Sequence, residues 1–290
     1  MLLKKILSAA LLTLSVAVCA NAQVENHSSK KEIIIASYGT TYDKTRTITI
    51  GGIENAFREA FPDYKIERVF TFQVFIDALK KKNKLKVLNI EEALEKALSE
   101  GVEEIVIQPT FVLTGNELNK FFDRAKEYES KFKKMTICAP LITNDTEMKE
   151  VAKIFVERTS KYDDGQTAVC IMGHGNDSDS NLMYKKMEKY LHKIGKTNYF
   201  VGTVHDDNSV SEILEALSDR KDCKNVVLIP MMITAGEHII HDMAGEDDDS
   251  WKNIFSKNNY KVICIFEGMG QNYEFQEMFV NQTKKALGIK

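Results

Sequence analysis

The sequence lacks the features that mark several large classes of protein. After its first 22 residues no run of roughly 20 apolar residues occurs, so no membrane span is expected there. Its formal net charge of -3 gives no indication of a nucleic-acid partner. Its short glycine segments, at 39–41 and 173–175, are neither a P-loop nor a dinucleotide fingerprint, and no nucleotide cofactor is expected. With 43% hydrophobic and 28% charged residues, the chain has ordinary globular composition.

Cysteine is scarce, with five residues, and its spacing fits no zinc motif. Cys138, Cys170 and Cys264 lie inside strand-like runs, where a buried, unpaired thiol acts as a small hydrophobic group. We therefore assign the cysteines no chemistry. Whether any of them pair is left open by the sequence.

The N-terminus has the form of a secretory signal. Lys4 and Lys5 precede an apolar run over 6–18, and a small-residue cleavage motif follows at 20–22. We expect residues 1–22 to be removed and the mature protein to be exported, with the periplasm as its location. Cys19 raises the alternative of a lipoprotein anchor, but Val18 stands where a lipobox has a small residue.

The rest of the chain alternates short apolar runs with amphipathic helical stretches, a pattern typical of parallel sheets covered by helices. The predicted fold is α/β, with two similar lobes, each a parallel sheet of about four strands flanked by helices. The predicted lobes are residues 23–163 and 164–290, divided at a polar turn. Strands are predicted over 32–38, 65–70, 103–112, 134–140, 167–173, 199–204, 225–232 and 261–267.

The two halves resemble each other in a way that indicates internal duplication. Segment 35–40 is similar to 171–176, and segment 105–118 is similar to 227–240. The separation of Pro109 and Gly115 recurs in Pro230 and Gly236. When the two halves are aligned, His174 is equivalent to Tyr38 and His238 is equivalent to Glu117, so the second half carries the histidines. A ligand between two such lobes would contact both, as flat cofactors do at domain interfaces.

Three histidines, His174, His205 and His238, each follow the end of a predicted strand. In an α/β protein such ends converge on one crevice, and three imidazoles there predict a metal site. Each residue also has an ordinary structural interpretation. His174 between two glycines can cap a helix, His205 can simply begin one, and the polar segment around His238 can be a solvated acidic loop.

These segments resemble the CbiK-type anaerobic cobalt chelatases of the class II chelatase superfamily. The resemblance extends from about Glu32 to Leu287 and is carried by ASYGTTYDKTR, VIQPTFVLTGNE, IMGHG, VGTV and, above all, LIPMMITAGEHIIHDMAGEDDDSWK. It implies a two-lobed fold, a tetrapyrrole in the cleft, and insertion of Co(II) into sirohydrochlorin for cobalamin synthesis. It also implies metal ligation by His174, by a carboxylate after the VGTV strand and by His238.

The sequence departs from this pattern twice. His205 stands where the family has glutamate, and Phe111 where relatives often have histidine. Replacing a carboxylate by a neutral imidazole removes one negative charge and suits Co(II), Fe(II), Ni(II) or Zn(II) without choosing among them. The resemblance implies Co(II). His174 and His238 are predicted to be catalytic, because a neutral imidazole can hold a metal and accept a pyrrole proton. Glu237, Asp242 and Glu246 are candidates for proton removal or for orienting the histidines, and the predicted tetrapyrrole contacts are Tyr38, Gly39, Thr40, Phe111, Met232 and Asp242.

Export leaves a competing hypothesis open. Sirohydrochlorin is made in the cytoplasm, so an exported protein could instead bind haem in the same cleft for iron acquisition, with His205 or a methionine as axial ligand. A third possibility is a metal carrier without catalysis. The number of subunits stays open, with a homo-oligomer possible.

Overall fold

The computed structural model describes residues 30–83, 85–176, 178–205 and 209–289. The predicted signal peptide and Cys19 lie outside these ranges. Within them, no helix combines the length and the apolar character needed to cross a bilayer.

Two four-stranded parallel sheets form the framework of the described chain, as predicted. The first has the order β2-β1-β3-β4 and the second β6-β5-β7-β8, so both halves use the same connectivity. This equality is what an internal duplication requires. The strands are β1 (Lys31–Ser37), β2 (Lys65–Phe70), β3 (Glu104–Pro109), β4 (Lys134–Ile137), β5 (Thr167–Gly173), β6 (Tyr199–Thr203), β7 (Asn225–Met231) and β8 (Lys261–Cys264).

Helices connect the strands and cover both faces of each sheet, which explains why β1 and β5 are almost entirely buried and apolar. A short π-helix, Ile239–Met243, follows β7. The α-helices are α1 (Asp43–Ile48), α2 (Ile50–Ala60), α3 (Gln73–Asn83), α4 (Ile90–Ser99), α5 (Asn116–Lys126), α6 (Asp145–Thr159), α7 (Leu182–Lys193), α8 (Ser209–Ser218), α9 (Trp251–Lys257) and α10 (Tyr273–Leu287).

Six predicted strands extend too far toward their carboxyl ends. Strand β3 was predicted to continue to residue 112, but it ends at Pro109, and only the Thr110 amide makes a further bond to β1, to the Ala36 carbonyl at 2.8 Å. Strands β4 and β8 also stop three residues before their predicted ends, and β1, β6 and β7 stop one residue before theirs. The residues that follow lie in loops, where Cys138 is buried but Tyr38 and Phe266 are exposed. An apolar run alone does not show whether a strand continues or a loop begins.

Helices α10 and α6 each pack against the other lobe. Helix α10, from the end of the chain, packs on α2, and Thr283 donates a buried hydrogen bond of 2.7 Å to Gln108 in β3. Helix α6 packs on α7, and its Thr159 is hydrogen-bonded to Tyr199 in β6 at 2.8 Å. One apolar core therefore extends from α2 to β5, and the lobes are joined along their helices. The domain boundary at residue 163 stays a prediction.

Candidate metal centre and cleft

The carboxyl ends of both sheets border a cavity of about 770 Å³. This volume falls within the roughly 300–1,000 Å³ typical of small-molecule sites. Tyr38, Gly39 and Phe111 line it from the first lobe, and Met232 lines it from the second. Loops that follow parallel strands converge at this edge, which is why residues from distant parts of the sequence meet there.

The structure brings the three predicted histidines together in this cleft. One ring nitrogen of each of His174, His205 and His238 lies within 4.8 Å of the others. Their ring centroids are 4.5 to 5.5 Å apart. Among the His, Cys, Asp and Glu side chains in the described residues, these three histidines lie close enough together to share one metal ion. All three come from the second lobe.

The pairing of β5 with β6 sets the relative position of His174 and His205. Strands β5 and β6 pair up to Gly173 and Thr203, and the His205 amide then donates to the His174 carbonyl at 3.1 Å. Gly175 follows with φ of +82°, and a Cβ on it would lie 3.0 Å from Thr203 and 3.4 Å from the Cβ of His205. Glycine therefore permits both the backbone turn and the close approach of the two loops.

The hydrogen bonds of His174 leave its outer nitrogen available to a metal. Its Nδ1 lies 2.7 Å from the Gly175 carbonyl, which only accepts, so Nδ1 carries the proton and Nε2 keeps its lone pair. Burial lowers the pKa of His174 because the charged ring would lose solvation, and the nearby His238 and His205 act in the same direction. The neutral ring is the form that binds a metal.

His238 has the carboxylate partner that is common behind metal-binding imidazoles. Its Nδ1 donates to Asp242 Oδ2 at 2.6 Å, one turn further along, and this bond leaves Nε2 as the free nitrogen. Asp242 does not border the cavity. Its position fits the predicted orienting role, and its contact with a tetrapyrrole stays a prediction. Glu246 lies away from the cleft and pairs with Lys252 at 2.8 Å.

Aromatic side chains line the first-lobe side of the cleft mouth. Tyr38 stacks on Phe72 with 4.9 Å between ring centroids, and the ring of Phe111 lies edge-on to Tyr38 with 6.3 Å between centroids. Tyr38 is 39% exposed, and burial of the remainder raises the pKa of its phenol, which therefore stays neutral. Gly39 has φ of +109° and lies directly against Phe70, where a Cβ would clash at 2.7 Å. A planar apolar macrocycle would find complementary surface here.

Several contacts across the cleft were not predicted from the sequence. The carbonyl of Thr114 accepts hydrogen bonds from Ser180 at 2.6 Å and Asn176 at 3.4 Å. On the other side, Tyr42 donates to Glu237 at 2.7 Å. Thr40, a predicted tetrapyrrole contact, is buried behind the cavity wall, and its hydroxyl accepts from the Tyr42 amide at 3.3 Å.

The fold is that of the two-lobed chelatases. The structure of SirB from Bacillus subtilis with Fe3+ matches with a TM-score of 0.59 and 13% identity, over 88% of this chain and 95% of that one. CbiX, the terminal enzyme of siroheme biosynthesis in denitrifying bacteria, matches with a TM-score of 0.53 and 13% identity, over 88% and 99%. At these identities the likeness establishes the architecture.

The family follows from the sequence match. Residues 31–288 match the model of the cobalt chelatase (CbiK) family, and the chain belongs to that family. It is 25% identical to a sirohydrochlorin cobaltochelatase of Salmonella typhimurium, over 90% of this chain and 97% of the relative. It is 23% identical to sirohydrochlorin cobaltochelatase CbiKC of Nitratidesulfovibrio vulgaris, over 89% and 91%. The predicted family and the prediction of a metal-inserting chelatase are confirmed.

Proposed function

We propose that this protein inserts Co(II) into sirohydrochlorin and that His174, His205 and His238 hold the metal before transfer. The observation that carries the proposal is the convergence of three ring nitrogens within 4.8 Å at one wall of the cleft. Names of relatives at 23–25% identity support the choice of metal and tetrapyrrole. Three imidazoles form a ligand set that Co(II) accepts, and they leave coordination positions for water or substrate.

The reaction exchanges two protons for one metal ion. Co(II) must lose its waters, and two pyrrole N–H groups must lose their protons as four ring nitrogens replace the protein ligands. As the metal leaves, Nε2 of His174 and of His238 each regains a lone pair that can accept a proton. The carboxylate of Asp242, 2.6 Å from His238, then faces the positive charge that this proton brings. No nucleotide or redox cofactor takes part in this exchange.

The cleft walls supply the positioning that the exchange requires. The apolar surface of Tyr38, Phe111 and Met232 can hold the macrocycle against the wall that carries the histidines. Fixed orientation of the reacting nitrogens toward the metal lowers the entropic cost of the transfer. The roles of Tyr38, Gly39, Phe111 and Met232 as tetrapyrrole contacts belong to this proposal.

An absorbance titration of the purified mature protein distinguishes the competing activities. With sirohydrochlorin and Co(II), we expect repeated conversion of the free tetrapyrrole spectrum into that of the cobalt complex. A parallel titration with haemin tests for haem capture. A stoichiometric Soret shift with haemin, together with no conversion of sirohydrochlorin, would reject the chelatase proposal.

Replacing His205 by glutamate restores the residue that the family resemblance implies. We expect His205→Glu to insert Co(II) at the wild-type rate or faster, because a carboxylate also ligates Co(II) and adds the missing negative charge. His205→Ala, which removes the ligand, serves as the matched control and is expected to be slower than both. Complete loss of insertion in His205→Glu would show that the imidazole has a role of its own.

We also propose that the protein is exported after removal of residues 1–22. The support is the order of Lys4, Lys5, an apolar run and a small-residue motif in the sequence. Mass spectrometry of the protein from a periplasmic fraction is expected to give a chain that begins at Gln23. A full-length chain confined to the cytosolic fraction would contradict export, and a lipid on Cys19 would indicate an anchored form.

A further inference from the structure

The contact between Tyr42 and Glu237 joins the two lobes next to a proposed metal ligand. Tyr42 lies in the loop between β1 and α1 of the first lobe, and its hydroxyl donates to Glu237 Oε2 at 2.7 Å. Glu237 immediately precedes His238, and its Oε1 lies 3.5 Å from Nε2 of His241. Both carboxylate oxygens therefore face partners that belong to the protein.

Further contacts hold this loop and the start of α1 against the segment that precedes His238. Thr45 donates to the carbonyl of Ala235 at 3.2 Å. Gly236 is also in reach of this loop, because a Cβ on it would be in van der Waals contact with the Thr40 hydroxyl at 3.4 Å and the Tyr42 ring at 3.9 Å. The first-lobe loop and the start of α1 thus contact three consecutive residues that lead into His238.

The first-lobe loop is itself braced. The guanidinium of Arg46 is buried, donates to the Thr40 carbonyl at 3.3 Å and forms an ion pair with Asp43. The hydrogen bond to Glu237 raises the pKa of the Tyr42 phenol, so this group stays protonated and able to donate. Because this loop is braced, the Tyr42 hydroxyl is a fixed donor that can set the position of the Glu237 carboxylate across the cleft.

We propose that Tyr42 is a positioning residue that, through Glu237, holds the cleft closed around the tetrapyrrole. Glu237 is then the acceptor of this contact and does not remove pyrrole protons. All three metal-binding candidates belong to the second lobe, and Asp242, not Glu237, is bonded to the His238 ring. We therefore expect the contact between Tyr42 and Glu237 to affect tetrapyrrole retention and to leave binding of the ion alone unchanged. The inference rests on the proposed chelatase function.

Three variants test the proposal. Tyr42→Phe and Glu237→Ala each remove the contact, and we expect kcat/KM for sirohydrochlorin to fall on the order of tenfold, the loss expected for one hydrogen bond to a charged group. Co(II) affinity without tetrapyrrole is expected to stay at the wild-type value. Glu237→Gln keeps an acceptor oxygen and is expected to retain most of the activity. Tyr64→Phe, which removes a similar 3.0 Å bond to Glu104 away from the cleft, is the matched control and should behave as wild type.

Binding of metal-free sirohydrochlorin, followed by absorbance, provides a readout that needs no turnover. Weaker binding to Tyr42→Phe with unchanged Co(II) affinity supports the proposal. Equal tetrapyrrole affinity and kcat/KM in Tyr42→Phe and wild type would overturn it. Loss of activity in Glu237→Gln as complete as in Glu237→Ala would overturn it as well, because it would make the carboxylate a base. Failure of the wild-type protein to bind or convert sirohydrochlorin would instead reject the chelatase function itself.

Discussion

Replacing either His174 or His238 by alanine is expected to lower the rate of cobalt insertion by more than about 100-fold. Losing a residue that only supports a metal ligand typically costs about 10–100-fold, and losing the ligand itself should cost more. Each substitution removes a nitrogen whose orientation is fixed by a hydrogen bond to its other ring nitrogen, at 2.7 Å to the Gly175 carbonyl or 2.6 Å to Asp242. The measurement is the initial rate of cobalt sirohydrochlorin formation, alongside a Co(II) titration.

The fold should survive both changes. His174 and His238 are half-buried at the edge of a cavity, so we expect circular dichroism and the thermal midpoint to stay close to those of the wild type. His192→Ala removes an imidazole from α7, where its Nε2 bonds to the Tyr199 carbonyl, and serves as a control with expected normal insertion. Normal turnover in both His174→Ala and His238→Ala would refute the metal site.

The second large effect is expected at Asp242. Asp242→Ala removes the carboxylate that orients His238, and loss of such a partner typically costs about 10–100-fold in metal affinity. Asp242→Asn keeps an oxygen that accepts from Nδ1 but lacks the charge, so we expect a smaller loss. An equilibrium Co(II) titration of the three proteins gives the comparison.

A matched acidic variant controls for the loss of charge alone. Asp248 is 91% exposed in its side chain and pairs with Lys257 at 2.7 Å. Asp248→Ala is expected to bind Co(II) as the wild type does. Equal affinity in Asp242→Ala and wild type would show that the hydrogen bond to His238 does not contribute to metal binding.

The sequence allowed most of the framework to be predicted, because parallel strands buried on both faces produce continuous apolar runs. All eight predicted strands are present. The repeated spacing of Pro109 and Gly115 predicted two similar lobes, and the two sheets have the same strand order. The packing of α6 and of α10 against the other lobe was not predictable. Their apolar faces indicate burial without indicating which sheet they cover.

The candidate site was predictable to the extent that it depends on strand ends. His174, His205 and His238 converge because each follows a strand of one sheet, and Asp242 reaches His238 through helical spacing. The contact of Tyr42 with Glu237 depends on how the lobes face each other. No periodicity marks a tyrosine that bonds to a residue 195 positions away.

Cobalt K-edge absorption spectroscopy of the purified protein with one equivalent of Co(II) tests the three-histidine site most directly. We expect a first shell that contains three imidazole nitrogens at about 2.0–2.1 Å, as for imidazole on a similar divalent ion. In the His174→Ala and His238→Ala variants the shell should lose one imidazole each. A shell of oxygen atoms alone, unchanged by these substitutions, would contradict the assignment.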